Sequence, residues 1–257
     1  MEETKIIKSV AKAMKILIEL SEHEKPISLE KISNDCELNK STCVHILDTL
    51  KESGFVDHVS RARGYQIKPF CFELAKSGLF HDELIHLCQP VMRWLYEKTN
   101  ETVLLTILYK GRKLIIHYLT GKRKLSADGS ELVVGNQNFY KTGTARALLA
   151  SISFDREQFQ EIYKTLGLPE EGVWPEVTDY ESLMVELKKI RDQGYAKVPD
   201  PEFSGFGYGS VLYDKNKPIA SLGIATMDAL EDDSYIIKNL KIAAQEINRR
   251  LDFSTLT

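Results

Sequence analysis

The sequence predicts an α+β protein: an N-terminal winged helix-turn-helix followed by an antiparallel sheet with packed helices. The first observation behind this prediction is that residues 28–67 read as two short helices at a tight turn and then two short strands. The second is that amphipathic helical segments and hairpin-forming strands follow from residue 82 onwards. The third is the length of 257 residues, which suffices for two compact domains.

The first predicted element is a helix over Ile7–Leu20. Its apolar residues recur at helical spacing and predict one face toward a core: Ile7, Val10, Met14 and Leu17, widened by Ala13, Ile16 and Leu20. Lysines recur at steps of three and four on another face: Lys5, Lys8, Lys12 and Lys15. Such a charge run usually faces water, and contact with a nucleic-acid backbone is the alternative.

Residues 28–54 predict two further helices joined by a tight turn. Ser28 stands at a good N-cap position for a helix that runs to Asn34. Asn39 can cap the next helix, which runs to about Ser53 and is ended by Gly54. Three apolar side chains of this last helix share its core-facing side: Val44, Leu47 and Leu50.

The remaining circumference of that helix is suited to reading DNA. Short polar side chains and one lysine surround its N-terminal half: Lys40, Ser41, Thr42 and His45. A helix with such a first turn fits a major groove. Strands at residues 55–59 and 65–67 then flank a basic tip that carries Arg61 and Arg63. These six side chains are the predicted contacts of a winged helix-turn-helix with double-stranded DNA.

Basic and acidic residues balance within residues 1–80, so the domain has no overall attraction for phosphate. Attraction must therefore come from local clusters, with Arg61, Arg63 and Lys68 on the ribbon and Lys40 on the helix. The neutral balance leaves one alternative open, a protein-interaction adaptor whose winged helix binds protein and not DNA.

Composition and motif content exclude several other classes of protein. The four cysteines form no C-x-x-C pair and are expected to be reduced core thiols of a cytoplasmic protein. No 18-residue apolar run predicts a membrane span. No G-x-S-x-G motif is present, and the six histidines lack metal-ligand spacing. We therefore expect no catalytic site, no cofactor and no metal.

The rest of the chain predicts one mostly antiparallel sheet with helices packed on it. A connector helix at 69–77 precedes a long helix at 82–99 that contains Pro90. Strands are expected at 102–109, 114–119, 131–134, 209–213 and 219–226. Helices are expected from Thr142 or Thr144 to Ala150 and at 155–165, 180–193 and 236–251.

Several short segments, taken in their order and spacing, resemble the IclR family of transcriptional regulators nearly from end to end. The segments are Ser9-Val10, Ile27-Ser28-Leu29, Lys40-Ser41-Thr42, Gly54-Phe55, Thr99–Val103, Gly143–Ala150 and Ile190–Ala196. The resemblance implies a winged helix at 1–68 that binds operator DNA, a linker helix at 69–79 and a GAF-like effector-binding domain at 80–257. It also implies a homodimer or a tetramer built as a dimer of dimers, and a small organic acid or aromatic compound as effector.

The entry into the helix near residue 143 is the first candidate for the effector site. Free N–H groups at a helix N-terminus, supported by the helix dipole, can receive a carboxylate. The alternative is that Thr142 or Thr144 merely caps the helix. In IclR-like proteins this loop helps to line the ligand pocket, which makes Gly143 and Thr144 the first candidates.

The resemblance adds four further effector candidates: Asp200, Tyr208, Ser210 and Ala225, the last with Thr226 as its alternative. Tyr208 offers a ring and a hydroxyl to a ligand. The chain also departs from the family pattern. Gly207 and Tyr208 stand where relatives often have an Arg-Cys pair, which argues against a metal-assisted pocket. His45 stands where the family's recognition helix usually carries Arg, so we expect a different operator preference.

Overall fold

The structure, a computed structural model, describes residues 6–23, 25–60, 63–71, 82–109, 112–121, 136–153, 156–200 and 204–253. The chain divides into two compact units, Met1–Phe80 and His81–Thr257, which are treated separately below. The sequence predictions for a strand at 131–134, for Arg61 and for most of the connector helix lie outside the described residues. Within the described part of the chain, no helix is both long and apolar enough to cross a membrane.

The first unit is a three-helix cluster followed by a two-stranded ribbon, as the sequence predicts. The helices are α1 (Lys8–Ser21), α2 (Leu29–Asp35) and α3 (Lys40–Glu52), and the strands are β1 (Val56–Ser60) and β2 (Gly64–Ile67). The Ser28 side chain accepts a hydrogen bond from the Lys31 N–H and so caps α2. Buried apolar residues of all three helices and β1 form one core: Ile16, Leu20, Ile27, Ile32, Cys36, Cys43, Leu47, Leu50 and Val56.

The predicted core face of α1 is wrong in part. Ile16 and Leu20 are buried, but Ile7, Val10 and Met14 are 67%, 52% and 48% exposed, and Ile18 beside them is 41% exposed. These four side chains recur at steps of three and four and form one apolar stripe on the outside of the helix, here called the α1 stripe. Helical spacing in the sequence does not distinguish a helix face that packs in the protein's own core from an exposed apolar face. Exposed apolar stripes are typical of surfaces that bind another molecule.

The second unit is a five-stranded antiparallel sheet with helices on both faces, which confirms the α+β class. Its strands are β3 (Thr102–Tyr109), β4 (Arg112–Leu119), β5 (Ala196–Pro199), β6 (Phe206–Asp214) and β7 (Lys217–Ala225), in the order β4-β3-β7-β6-β5. The sequence predicted β6 to start three residues later and did not predict β5. The extra residues of β6 are those that pair with β5, as Pro199 does with Phe206.

Helices α4 (Asp82–Thr99) and α8 (Ser234–Asp252) share one apolar cluster with inward side chains of β3, β6 and β7. Helices α5 (Gly143–Ile152), α6 (Arg156–Leu166) and α7 (Tyr180–Gln193) contribute to a second cluster. Successive residues of a strand point to opposite faces, so Tyr208 belongs to the first cluster and Val211 packs against the second. A short 3-10 helix, Asn136–Lys141, leads into α5.

Helix α5 lies unusually close to the sheet. All ten of its residues are buried. A Cβ atom at Gly143 would lie 2.5 Å from the Gly207 carbonyl oxygen, and one at Gly209 would lie 2.5 Å from the Gly143 carbonyl carbon. The backbone of α5 therefore touches the backbone of β6 directly, and glycine is required where the two meet.

Candidate functional site

The N-terminal turn of α3 presents the predicted DNA-reading side chains to solvent. Asn39 caps the helix, because its Oδ1 accepts the Thr42 N–H at 2.7 Å. Cys43, Leu47 and Leu50 anchor the opposite side of α3 in the core, and this orientation leaves four predicted residues at the surface. Lys40, Ser41 and His45 are exposed and Thr42 is half-buried. The structure thus brings these four together on one accessible turn and a half.

The Lys40 side chain forms an ion pair with Glu30 of α2. Its Nζ lies 3.0 Å from the Glu30 carboxylate, and both side chains are more than half exposed, at 59% and 70%. An exposed pair of this kind stabilises by about 0–1 kcal/mol, so a DNA phosphate can replace Glu30 at little cost.

The ribbon after α3 holds Arg63 at its tip. The Arg63 N–H donates to the Ser60 Oγ at 3.1 Å, which shapes the turn. Tyr65 bridges to Ile27, and its ring stacks on the His58 ring across the ribbon with centroids 4.5 Å apart. Gly64 has φ +89°, and a Cβ atom there would lie 2.5 Å from the Ile27 carbonyl carbon, so only glycine fits. The ribbon is therefore a fixed wing, with the Arg63 side chain exposed.

The predicted effector residues fall on two faces of the sheet of the second unit. Gly143 and Thr144 begin α5 and lie on the backbone of β6 and β7, where Ala225 stands opposite Gly207. Tyr208 is 1% exposed on the opposite face, where its hydroxyl donates to the Asp233 carboxylate at 3.0 Å. Burial, followed by this hydrogen bond, raises the pKa of Tyr208.

Ser210 also lies on the other face of the sheet from the start of α5. Ser210 alternates with Gly209 and points to the face of Tyr208, where its Oγ donates to the Gly194 carbonyl at 3.0 Å. Asp200 follows β5, and its N–H donates to the Gly205 carbonyl at 3.0 Å. The six predicted residues therefore do not share one face of the sheet: Gly143, Thr144 and Ala225 lie on one face, and Tyr208 and Ser210 lie on the other.

Arg146, a buried residue near the start of α5, ties this helix to the segments around it. Its Nε donates to the Tyr140 carbonyl at 2.6 Å and one Nη to the Val173 carbonyl at 2.8 Å. Its guanidinium also lies 3.8 Å from the centre of the Trp174 ring. Burial lowers the pKa of Arg146 to about 10, so it stays charged at neutral pH. Arg146 therefore fixes the 3-10 helix relative to α5.

Lys113, on β4 beside the start of α5, is a buried charged residue that the sequence did not indicate. It is only 6% exposed on β4, and its Nζ lies 3.5 Å from the Oγ1 of Thr142, the N-cap residue of α5. Burial lowers the pKa of Lys113 to about 8. The one sequence signal was a lysine directly before the apolar run Leu114–Ile116, which a surface turn would also explain.

The predicted capping role of Thr142 differs from what the structure shows. Thr142 occupies the N-cap position with extended backbone angles, yet its side chain makes no capping hydrogen bond. Its hydroxyl faces Lys113. The first-turn N–H groups of α5 therefore lack a side-chain cap from Thr142.

Comparison with known proteins matches both units to domain models of one family. The model of the IclR helix-turn-helix domain matches residues 9–60, and the model of the bacterial transcriptional regulator IclR C-terminal domain matches residues 77–249. The chain is 27% identical over 253 residues to the HTH-type transcriptional regulator KdgR of Dickeya chrysanthemi, covering 96% of this chain and 81% of that protein. It is 24% identical to the transcriptional repressor IclR of Escherichia coli K12, covering 85% and 80%.

Solved structures show the same fold along nearly the whole chain. An IclR family transcriptional regulator from Brucella abortus matches with a TM-score of 0.74 at 16% identity, covering 97% of this chain and 94% of that one. An IclR homologue from Microbacterium hydrocarbonoxydans, complexed with 4-hydroxybenzoate, matches with a TM-score of 0.66 at 20% identity, covering 96% and 100%. At these identities the likeness concerns the fold.

Proposed function

Because this chain belongs to the IclR family of bacterial transcriptional regulators, we propose that it binds operator DNA through α3 and the wing, and that a small organic effector bound in the second unit modulates this binding. The observation that carries the DNA-binding part is the capped, exposed first turn of α3 beside a wing with Arg63 at its tip. We assign residues 1–68 to DNA binding, 69–79 to the linker and 80–257 to effector binding.

The proposed DNA contacts are of two kinds, contacts to base edges and contacts to phosphates. Ser41, Thr42 and His45 offer hydrogen-bonding groups of the kind that read base edges in a major groove. Lys40 and Arg63 carry positive charge toward phosphates, and Arg61, next to the tip in sequence, is assigned the same role. His45 is shorter than arginine and can donate one hydrogen bond to a base or phosphate. The protein is proposed to act in the cytoplasm, without catalysis, cofactor or metal.

Separate effects are expected from Arg63→Ala and Thr42→Ala. Arg63→Ala should weaken binding to all DNA alike and lower the salt slope by about 1, because it removes one phosphate contact. Thr42→Ala should lower the preference for operator over unrelated DNA by about tenfold, because a base contact is lost. The measurement is fluorescence anisotropy on DNA from upstream of the protein's own gene, with unrelated competitor, across a salt series.

Lys51→Ala is the matched control, since Lys51 is an exposed lysine at the far end of α3. Its affinity and salt slope should equal those of the wild type. Wild-type values for both Arg63→Ala and Thr42→Ala would contradict the contact assignment. An absence of salt-dependent binding in the wild-type protein would favour a protein-interaction adaptor.

The α1 stripe supports the proposal that the protein is a homodimer or a dimer of dimers. A second copy of α1 offers the same apolar side chains in a self-complementary arrangement, as an isologous interface requires. Burying the stripe in a dimer would remove its four exposed apolar side chains from water, which is favourable at about 25 cal/mol per Å².

The double variant Val10→Asp with Met14→Asp is expected to raise the dissociation constant of the dimer at least tenfold. Two carboxylates would have to be buried without partners in the interface. Analytical ultracentrifugation over a concentration series measures this change. Lys8→Asp, on the same helix but off the stripe, is the control. Equal dissociation constants for the double variant and the control would exclude the α1 stripe from the interface.

A further inference from the structure

Three metal-ligating side chains of the first unit meet where α1 and α2 end. Glu19 belongs to the last turn of α1, His23 follows the end of that helix, and Asp35 is the last residue of α2. One ligand atom of each side chain lies within 4.8 Å of those of the other two. Among the residues that the structure describes, no other group of three or more histidine, cysteine, aspartate or glutamate side chains meets this condition. These three residues are here called the α1–α2 cluster.

The core of the first unit fixes the backbone beneath this cluster. Leu20, next to Glu19, and Cys36, next to Asp35, are both buried. Glu19 and His23 are four residues apart, which places them on the same side of the chain at the end of α1. The His23 Nε2 lies 2.9 Å from the Glu19 Oε1, and both side chains are partly buried. The three side chains therefore converge from a rigid support.

The charges of the cluster favour a divalent cation. Carboxylate oxygens of Glu19 and Asp35 lie within 4.8 Å of each other, and like charges at such a distance repel. Lys31 pairs with Asp35 at 2.9 Å, but this pair is exposed and contributes little, and a carboxylate has a second oxygen for a further partner. Two carboxylates and a neutral imidazole balance the two positive charges of such an ion.

The ligand types and their spacing select zinc. Imidazole is a ligand of zinc and other transition metals, whereas magnesium and calcium prefer oxygen ligands. Zinc with three protein ligands takes water as the fourth, and its tetrahedral ligand atoms lie about 3.4 Å apart. This spacing falls between the 2.9 Å from His23 to Glu19 and the 4.8 Å limit for the whole cluster. Small side-chain rotations can therefore bring all three ligand atoms onto one ion.

We propose that Glu19, His23 and Asp35 bind a zinc ion that joins the end of α1 to the end of α2. The site goes beyond the proposed function, in which operator binding itself requires no metal. Histidine spacing in the sequence could not indicate it, because the cluster has one histidine and its third ligand comes from another helix. Asp35 lies four residues before Asn39, the N-cap residue of α3. A bound ion would thus hold one end of the turn that leads into α3.

Isothermal titration calorimetry of the full chain with zinc chloride tests the site directly. The protein is first treated with EDTA, transferred to chelator-free buffer at neutral pH and kept reduced with a phosphine. One zinc ion per chain is expected to bind at the cluster with a dissociation constant below about 10 µM. Magnesium and calcium should bind at least about a hundredfold more weakly, because neither favours an imidazole ligand.

His23→Gln and Asp35→Asn each remove one ligand and keep a polar side chain, and each should weaken zinc binding at least about tenfold. His86→Gln is the matched control, because His86 is an exposed histidine on α4, outside the cluster. The control should bind zinc as the wild type does. Circular dichroism in EDTA should give the same spectrum for the wild type and all three variants, which separates a lost ligand from a lost fold.

Hydrogen exchange followed by mass spectrometry locates the bound ion. Zinc should slow amide exchange at least about twofold in peptides that cover residues 19–36, because the ion ties two helix ends together. Three results would overturn the inference: a wild-type dissociation constant above about 10 µM, wild-type affinity in both His23→Gln and Asp35→Asn, or slower exchange confined to the second unit.

Discussion

Gly209→Ala is expected to destabilise the second unit by at least about 3 kcal/mol, whereas Gly207→Ala, two residues earlier on the same strand, is expected to be tolerated. At Gly209 the new methyl would lie 2.5 Å from both the Gly143 carbonyl carbon and the Thr144 nitrogen. These are backbone atoms of α5, and a backbone cannot rotate away as a flexible side chain can. Since every residue of α5 is buried, the helix can give way only by opening the core.

Gly207 is a close control for this experiment. It also faces α5, but a Cβ atom there would lie 3.5 Å from the Gly143 nitrogen, which is ordinary van der Waals contact. Alanine in a strand interior also avoids the extra backbone entropy of glycine, worth roughly 0.5–1 kcal/mol. Gly207→Ala should therefore be neutral or slightly stabilising.

Tryptophan fluorescence during urea unfolding measures this difference in the second unit alone. The protein has two tryptophans, and Trp94 and Trp174 both belong to that unit. Gly209→Ala should move the unfolding midpoint to much lower urea or leave no cooperative transition. Equal midpoints for the two alanine variants would show that α5 does not lie on β6 as closely as described.

Local signals in the sequence were sufficient to predict the helices and the ribbon of the first unit. Ser28 and Asn39 cap their helices as predicted, because an N-cap depends on the next three residues and on little else. The wing follows from two short strands around a glycine-containing turn. The family resemblance is confirmed by domain models that match both units.

The predictions that failed or stayed open depend on neighbours that are distant in sequence. Apolar spacing in α1 is the same whether the stripe faces its own core or another molecule, so Val10 and Met14 were assigned to the core although they are exposed. Tyr208 and Gly143 were placed in one site, but the pairing of β6 with its neighbours turns the Tyr208 ring to the opposite face. The burial of Lys113 likewise depends on the sheet, which brings it beside Thr142, a residue 29 positions later in the chain.

Lys113→Met is expected to stabilise the protein at neutral pH, because Lys113 is a buried ammonium beside which the described residues place no carboxylate. Burial lowers the pKa of Lys113 from 10.5 to about 8, so the folded state holds this proton less firmly than the unfolded state does. The charged lysine therefore costs stability wherever both states are protonated, and the cost disappears as pH rises toward the unfolded value. The stability advantage of the variant over the wild type should therefore be larger at pH 7 than at pH 10 by about 2–3 kcal/mol.

The difference in the free energy of unfolding between the Lys113→Met variant and the wild type reports on Lys113, because the contributions of the other lysines and tyrosines are the same in both proteins. The Thr142 hydroxyl, the described hydrogen-bond partner of Lys113, does not ionise in this range. Burial raises the pKa of Tyr140 and lowers the pKa of His117, so neither shift brings a titration into the middle of this range. Urea unfolding at pH 7, 8, 9 and 10, followed by tryptophan fluorescence, gives the difference at each pH. The surface variant Lys141→Met should show no such slope. A constant difference across the series would contradict the prediction, because it would mean that the Lys113 amine is hydrated or paired with a carboxylate in the folded protein.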